Sequence, residues 1–258
     1  MSQTQPIVPE AVSAVYVDEI PVPDISHLVM EDDAPVDNII SEKQMRLLVE
    51  PLYSSWPGPL NESGEPRPFA AFANVGLFFS LHEPPLVPDV MLSLDVSVPA
   101  DFHEKQCRSY LFWEYGKAPD VAIEIVSDRE GGEDDKKLRG YARVGVRYYV
   151  IYDPDEFLSH ERLRIYELRG RSYEQITAQP LPEVGLSLAL WQGEFEGSFD
   201  TWLRWCDLQG NLLPTGVEAR QYEAARADRA EAELNKVRAE KERMAARLRE
   251  LGIDPDQL

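Results

Sequence analysis

Apolar positions recur with helical spacing after Ser41, where Met45, Leu48, Val49 and Leu52 share a face and Ser41 and Gln44 have capping-box spacing. This predicts a first helix beginning at Ser41, broken or ended by Pro51 and Pro57. Residues 54 to 68, rich in Pro, Gly and Ser, read as a loop, and 69 to 81, apolar on nearly all sides, as a buried helix. Runs at 87–97, 120–126, 147–152, 162–168 and 172–177 are rich in Val, Ile and Tyr between turn residues, which predicts strands. Between the second and third of them, Glu133 to Val144 reads as a helix with Leu138, Tyr141 and Ala142 inward and Gly145 as its stop. Arg169, Gly170 and Arg171 then join two strands as a hairpin, so the expected sheet is mixed and the domain closes near residue 205.

From about residue 218 the pattern changes to an Ala-, Glu- and Arg-rich run without Pro or Gly until Gly252, the composition of a long helix. Ala227, Ala230, Leu234, Val237, Lys241, Met244, Leu248 and Leu251 alternate in steps of three and four, an a/d seam with Lys241 as its polar member. Residues 218–251 are therefore expected to form a coiled-coil homodimer. A single helix packed along its own domain is the alternative.

Charge complicates the picture. The chain of 258 residues carries a formal net charge of -20, which argues against general nucleic-acid binding because phosphate-backbone affinity comes from Lys and Arg. Nine of the acids lie in residues 1 to 42, which contain no Lys or Arg and hold Pro6, Pro9, Pro21, Pro23 and Pro35. That segment reads as a disordered or loosely docked acidic tail. No basic strip is recognisable elsewhere. Without a membrane-spanning apolar run or a secretory signal, a soluble, cytoplasmic protein is expected. Cys107 and Cys206 stand far apart and suggest neither a zinc site nor a disulfide framework.

Two carboxylates stand out against their apolar surroundings. Asp89 follows Pro88 at a strand beginning, and Glu124 sits between Ile123 and Ile125, where alternation puts Asp120, Ala122, Glu124 and Val126 on one face. A carboxylate on a strand covered on both faces costs several kcal/mol unless it is paired, protonated or bound to a cation. The residues leave three explanations open: an ion pair with a basic residue of a covering helix, a general acid/base pair, or a hard-cation site with a lysine nearby. Asp120 lies about 13 Å along the strand from Glu124, too far to bind the same ion.

The runs PDVMLSL, PDVAIEIVS and KLRGYARVGVRYYVIYDP, in that order, resemble the Uma2 family of restriction-endonuclease-like proteins, over roughly Val36 to Leu190. The ending LRELGIDPDQL is similar to the tail of many such proteins. The resemblance implies an α/β, PD-(D/E)xK restriction-endonuclease-like fold with a mixed central sheet flanked by helices. Here it would stand as a 36–205 nuclease domain between an acidic segment, 1–35, and the 218–251 coiled-coil helix. It makes Asp89 and Glu124 ligands of Mg²⁺ (or Mn²⁺) and catalytic residues. The lysine expected two residues after the acid is Val126, so the resemblance points to Lys137, four before Tyr141, as the third catalytic residue, and to Glu50 as a further acid. The implied activity is metal-dependent hydrolysis of a nucleic-acid phosphodiester, with DNA favoured over RNA. The alternative is an inactive nuclease fold serving as a dimeric interaction module.

Overall fold

The computed structural model describes residues 23–29, 38–99, 101, 103–127, 132–177 and 180–250. Most of the expected acidic tail lies outside them, as does Leu251. Within 23–29, Leu28 is buried against Phe78 and Leu111, and the His27 ring meets the Leu81 carbonyl at 2.9 Å.

Helix α1, Ile39–Ser54, begins two residues earlier than its apolar spacing suggests. The Asn38 side chain, not that of Ser41, is the cap, accepting the Ser41 N–H at 2.9 Å. Gln44 is not a capping partner. Its buried amide donates to the Leu203 carbonyl at 2.8 Å and accepts the Leu203 N–H at 2.9 Å, fastening α1 to a distant strand. Pro51 stands inside the helix, which runs on to Ser54.

The buried helix expected over 69–81 is instead two short strands, β1 (Phe69–Ala73) and β2 (Leu77–Phe78). Asn74, with φ at 53°, breaks the run between them, and its N–H is taken by the Asp89 carbonyl at 2.9 Å. An apolar run without periodicity fits a buried strand as well as a buried helix, and here strand pairing wins.

The remaining strands and α-helices are β3 (Val90–Leu94), β4 (Tyr110–Leu111), a one-turn α2 (Phe112–Tyr115), β5 (Val121–Ile125), α3 (Leu138–Val144), β6 (Tyr148–Tyr152), β7 (Leu163–Arg169), β8 (Ser172–Ile176), β9 (Ser187–Phe195), β10 (Ser198–Cys206) and α4 (Gly216–Glu250). Six strands form one mixed sheet in the order β1-β3-β5-β6-β7-β8. Within this sheet β5 and β6 run parallel, joined over one face by α3, while the other neighbouring pairs are antiparallel. The β7–β8 hairpin turns at Gly170, where φ is 66°. Strands β9 and β10, absent from the sequence reading, form a separate hairpin whose turn residues Glu196 and Gly197 both have positive φ, the geometry that matches strand twist.

Alternation along β5 divides the core. Val121, Ile123 and Ile125 pack with Leu48, Leu52 and Trp205 on the α1 side. Ala122 and Val126 pack with Met91, Tyr141, Tyr149 and Ile151 on the α3 side, and Glu124 shares that face.

Candidate active site

Asp89 and Glu124 face each other across two strands because β3 and β5 are antiparallel, with Val90 opposite Ile123. Continuing that register by one residue sets Asp89 opposite Glu124. The β3–β5 ladder stops there, and the Asp89 Oδ2 accepts the Ile125 N–H at 2.6 Å in place of a backbone carbonyl. Asp89 is thus fixed at the end of its strand beside the glutamate.

Glu124 is 1% exposed. Tyr141 donates its hydroxyl to Glu124 Oε1 at 2.6 Å, and Lys137 donates from Nζ to Glu124 Oε2 at 2.9 Å. Lys137 also meets Glu133 Oε1 at 3.1 Å. Glu133, Lys137 and Tyr141 are spaced four apart and so stack on one face. The first of these turns is not α-helical: Glu133–Lys137 is a π-type turn starting after Gly132, whose φ is 70°, with the Lys137 N–H reaching the Gly132 carbonyl at 3.0 Å. Such one-turn departures often stand at functional sites.

Burial, and then the neighbouring Asp89 charge, push the Glu124 carboxyl up to about 8, against the opposing pull of Lys137 and Tyr141. Burial disfavours the Lys137 ammonium, yet Glu124 and Glu133 outweigh it and hold Lys137 protonated above its ordinary range. The Tyr141 hydroxyl, buried and next to a carboxylate, is raised well above its usual value and stays a donor.

Val126, at the position where a lysine would share the Glu124 face, is a core side chain 1% exposed. Lys137, arriving from the following turn, brings an ammonium to the same carboxylate. Glu50 does not join this group. It lies on α1, and its Oε1 accepts the Gly216 N–H at 2.9 Å at the start of α4. Asp120 is also separate, accepting from the Leu94 N–H at 2.7 Å and from Lys117 at 2.6 Å.

The sequence reading passed over two participants. Tyr141 has the helical spacing of a core residue and is one, yet it stands four residues from Lys137 and turns its hydroxyl to the same carboxylate. Glu133 is 6% exposed, and its Oε2 has no hydrogen-bond partner, an oxygen left for a further donor or cation. Two adjoining carboxylates with a spare buried oxygen close by are a donor set of the kind that a hard divalent cation takes, its shell completed by water. Among the described residues no cluster of three or more His, Cys, Asp or Glu is tight enough to hold a metal by itself.

Lys137 and Tyr141 also border a surface cleft of about 810 Å³ that includes Lys136, Arg139 and Arg143. A neighbouring hollow of about 560 Å³ adds Arg171 from the β7–β8 turn. This is the basic strip that the sequence did not disclose. Arg139 pairs with Asp135 and Arg143 with Glu83, but these are exposed surface pairs of little net strength.

No curated protein matches the chain. The family model Uma2, "Putative restriction endonuclease", matches residues 30–196 and so takes in both strands, the π-type turn and α3. The chain belongs to the Uma2 family.

Proposed function

We propose that the protein is a metal-dependent endonuclease that hydrolyses nucleic-acid phosphodiester bonds, with DNA as the favoured substrate. The observation that carries this reading is the Lys137 ammonium 2.9 Å from a carboxylate buried opposite Asp89. Asp89 and Glu124 would hold Mg²⁺ or Mn²⁺, which supplies Lewis acidity at the phosphoryl group and a nucleophilic water near neutral pH. Tyr141 fixes the rotamer of Glu124 through Oε1 and leaves Oε2 toward Lys137. Lys137 neutralises charge that develops on the phosphoryl oxygens, while the basic strip of Lys136, Arg139, Arg143 and Arg171 receives the backbone. Residues 218–251 serve as the homodimer contact.

Purified protein with Mg²⁺ or Mn²⁺ is expected to nick plasmid DNA, and Asp89→Asn and Glu124→Ala to lose that activity. Inert wild type, or variants that cut equally well, overturn the proposal. Substrate binding is tested separately at the strip: the Arg139→Ala/Arg143→Ala variant should bind duplex DNA more weakly and lower the slope of log affinity against log salt by about two. An unchanged slope places the duplex elsewhere.

One observation favours a second reading, an inactive fold used as a dimeric interaction module: Lys137 already pairs with both Glu124 and Glu133 where a cation would otherwise be needed. Calorimetry with Mg²⁺ and Mn²⁺ separates the two. Uptake that Asp89→Asn abolishes supports the nuclease, and no uptake supports the module.

A further inference from the structure

Helix α4 leaves the domain from a fixed anchor. Thr215 and Glu218 cap it reciprocally, with Thr215 Oγ1 accepting the Glu218 N–H at 3.2 Å and Glu218 Oε2 accepting the Thr215 N–H at 2.8 Å. Arg204, 3% exposed, donates to both oxygens of Glu218 at 2.9 and 2.6 Å. After this first turn the helix has no buried residue, although it is 35 residues long, or about 52 Å at 1.5 Å per residue. Leu234, Val237 and Met244 stand 49%, 51% and 65% exposed on one seam. Ion pairs within the helix, such as Arg226 with Glu223, contribute only tenths of a kcal/mol each, so the apolar seam calls for a partner.

The residues flanking the seam say which partner and which direction. With Ala227, Leu234, Lys241 and Leu248 at a and Ala230, Val237 and Met244 at d, the g positions hold Arg226, Glu233, Glu240 and Arg247, and the e positions Glu231, Arg238 and Ala245. In a parallel, in-register pair each g residue faces the e residue five positions on in the other copy. Arg226 then meets Glu231 and Glu233 meets Arg238, each twice by symmetry, while Glu240 meets the neutral Ala245. Lys241, facing its own copy at a, lies within reach of the other chain's Glu240. The antiparallel alignment that keeps the whole seam paired instead sets Glu240 against Glu240 and Arg238 against Arg238, leaving Glu233 with Arg247 as its favourable pair.

We infer that α4 binds a second copy of this chain as a parallel, in-register coiled coil, so that both nuclease domains stand at the same end of the dimer. This rests on the homodimer reading above and sharpens it. Under the nuclease proposal, the arrangement gives two copies of the site to one duplex, one for each strand.

Disulfide trapping in the full-length chain tests direction without reference to activity, in a Cys107→Ser background. Leu234→Cys should form a covalent dimer with itself on mild oxidation. Mixed with Met244→Cys, it should give no heterodimer, because those positions meet only in the antiparallel pair. The heterodimer, with no Leu234→Cys homodimer, overturns the parallel arrangement while leaving dimerisation intact. Light scattering supplies the other arm: a full-length chain that is monomeric at tens of micromolar overturns both.

Discussion

Replacing Lys137 with methionine is expected to destabilise the protein on the order of 3 kcal/mol at pH 9 and by less at pH 6. The pH dependence comes from Glu124, 2.9 Å from the ammonium, whereas the contact with Glu133 at 3.1 Å is lost at either pH. Methionine keeps most of the side chain's volume, so the loss is electrostatic and not a cavity effect. Near pH 6 Glu124 escapes the penalty as a neutral acid, since burial and Asp89 already lift it to about 8. At pH 9 wild type ionises Glu124 against Lys137, whereas the variant, whose glutamate rises further without the ammonium, must either hold a proton against the solvent or bury an unpaired charge. Urea unfolding at the two pH values measures the difference. The Lys137→Met/Glu124→Gln double variant should recover most of the loss, because removing the charge removes the need for its partner. Equal midpoints for wild type and Lys137→Met at pH 9 would mean that the lysine does not compensate Glu124. Under the nuclease proposal the same substitution also lowers nicking at least about a hundredfold, the scale of losing one preorganised donor to a developing anion.

The candidate site was legible where period-two alternation carries the information. Ile123 and Ile125 on one face and Ala122 and Val126 on the other put Glu124 toward α3, where the two core clusters divide. Alternation alone does not bring Lys137 to it: the family resemblance points to that lysine, and the fold supplies the reason, since the segment after β5 crosses that face to reach the parallel β6. Tyr141 was ambiguous because a buried tyrosine at helical spacing packs equally well with or without a carboxylate on its hydroxyl. Glu133 was hidden by the local acidic run, in which nothing separates a buried glutamate from exposed Asp134 and Asp135. The basic strip escaped for a different reason. Lys136, Arg139 and Arg143 share a helical face, but Arg171 joins them only through the fold of the β7–β8 hairpin. An unbroken apolar run such as 69–81 has no period, and strand pairing of its two halves with β3 and β4 decides its form. The resemblance points to Glu50 as a further acid, whereas α1 covers the opposite face of the sheet and offers that carboxylate to α4.

Glu124 also makes stability depend on pH in a direction opposite to that of an ordinary paired carboxylate. Its folded value of about 8 lies above the 4.5 of a free glutamate, so the folded chain keeps a proton that the unfolded chain releases. The stability tied to that proton is full below about pH 4.5 and is lost as the pH rises through about 8. Glu124→Gln has no such proton to lose. In EDTA the variant is therefore expected to match wild type near pH 5 and to exceed it by roughly 2 kcal/mol at pH 8.5, a gain of several degrees in Tm for a chain of this size. Under the metal-site proposal, Mg²⁺ reverses this order. A cation that binds only the folded, ionised site stabilises wild type by about 2.7 kcal/mol at a hundred times its Kd and leaves Glu124→Gln nearly unchanged. Thermal melts of both proteins from pH 5 to 9, with and without Mg²⁺, test the two steps independently. A wild-type profile that runs parallel to that of the variant in EDTA would show that Glu124 is ionised throughout, paired fully by Lys137. A divergence in EDTA together with equal responses to Mg²⁺ would leave the buried acid in place but move the cation away from it.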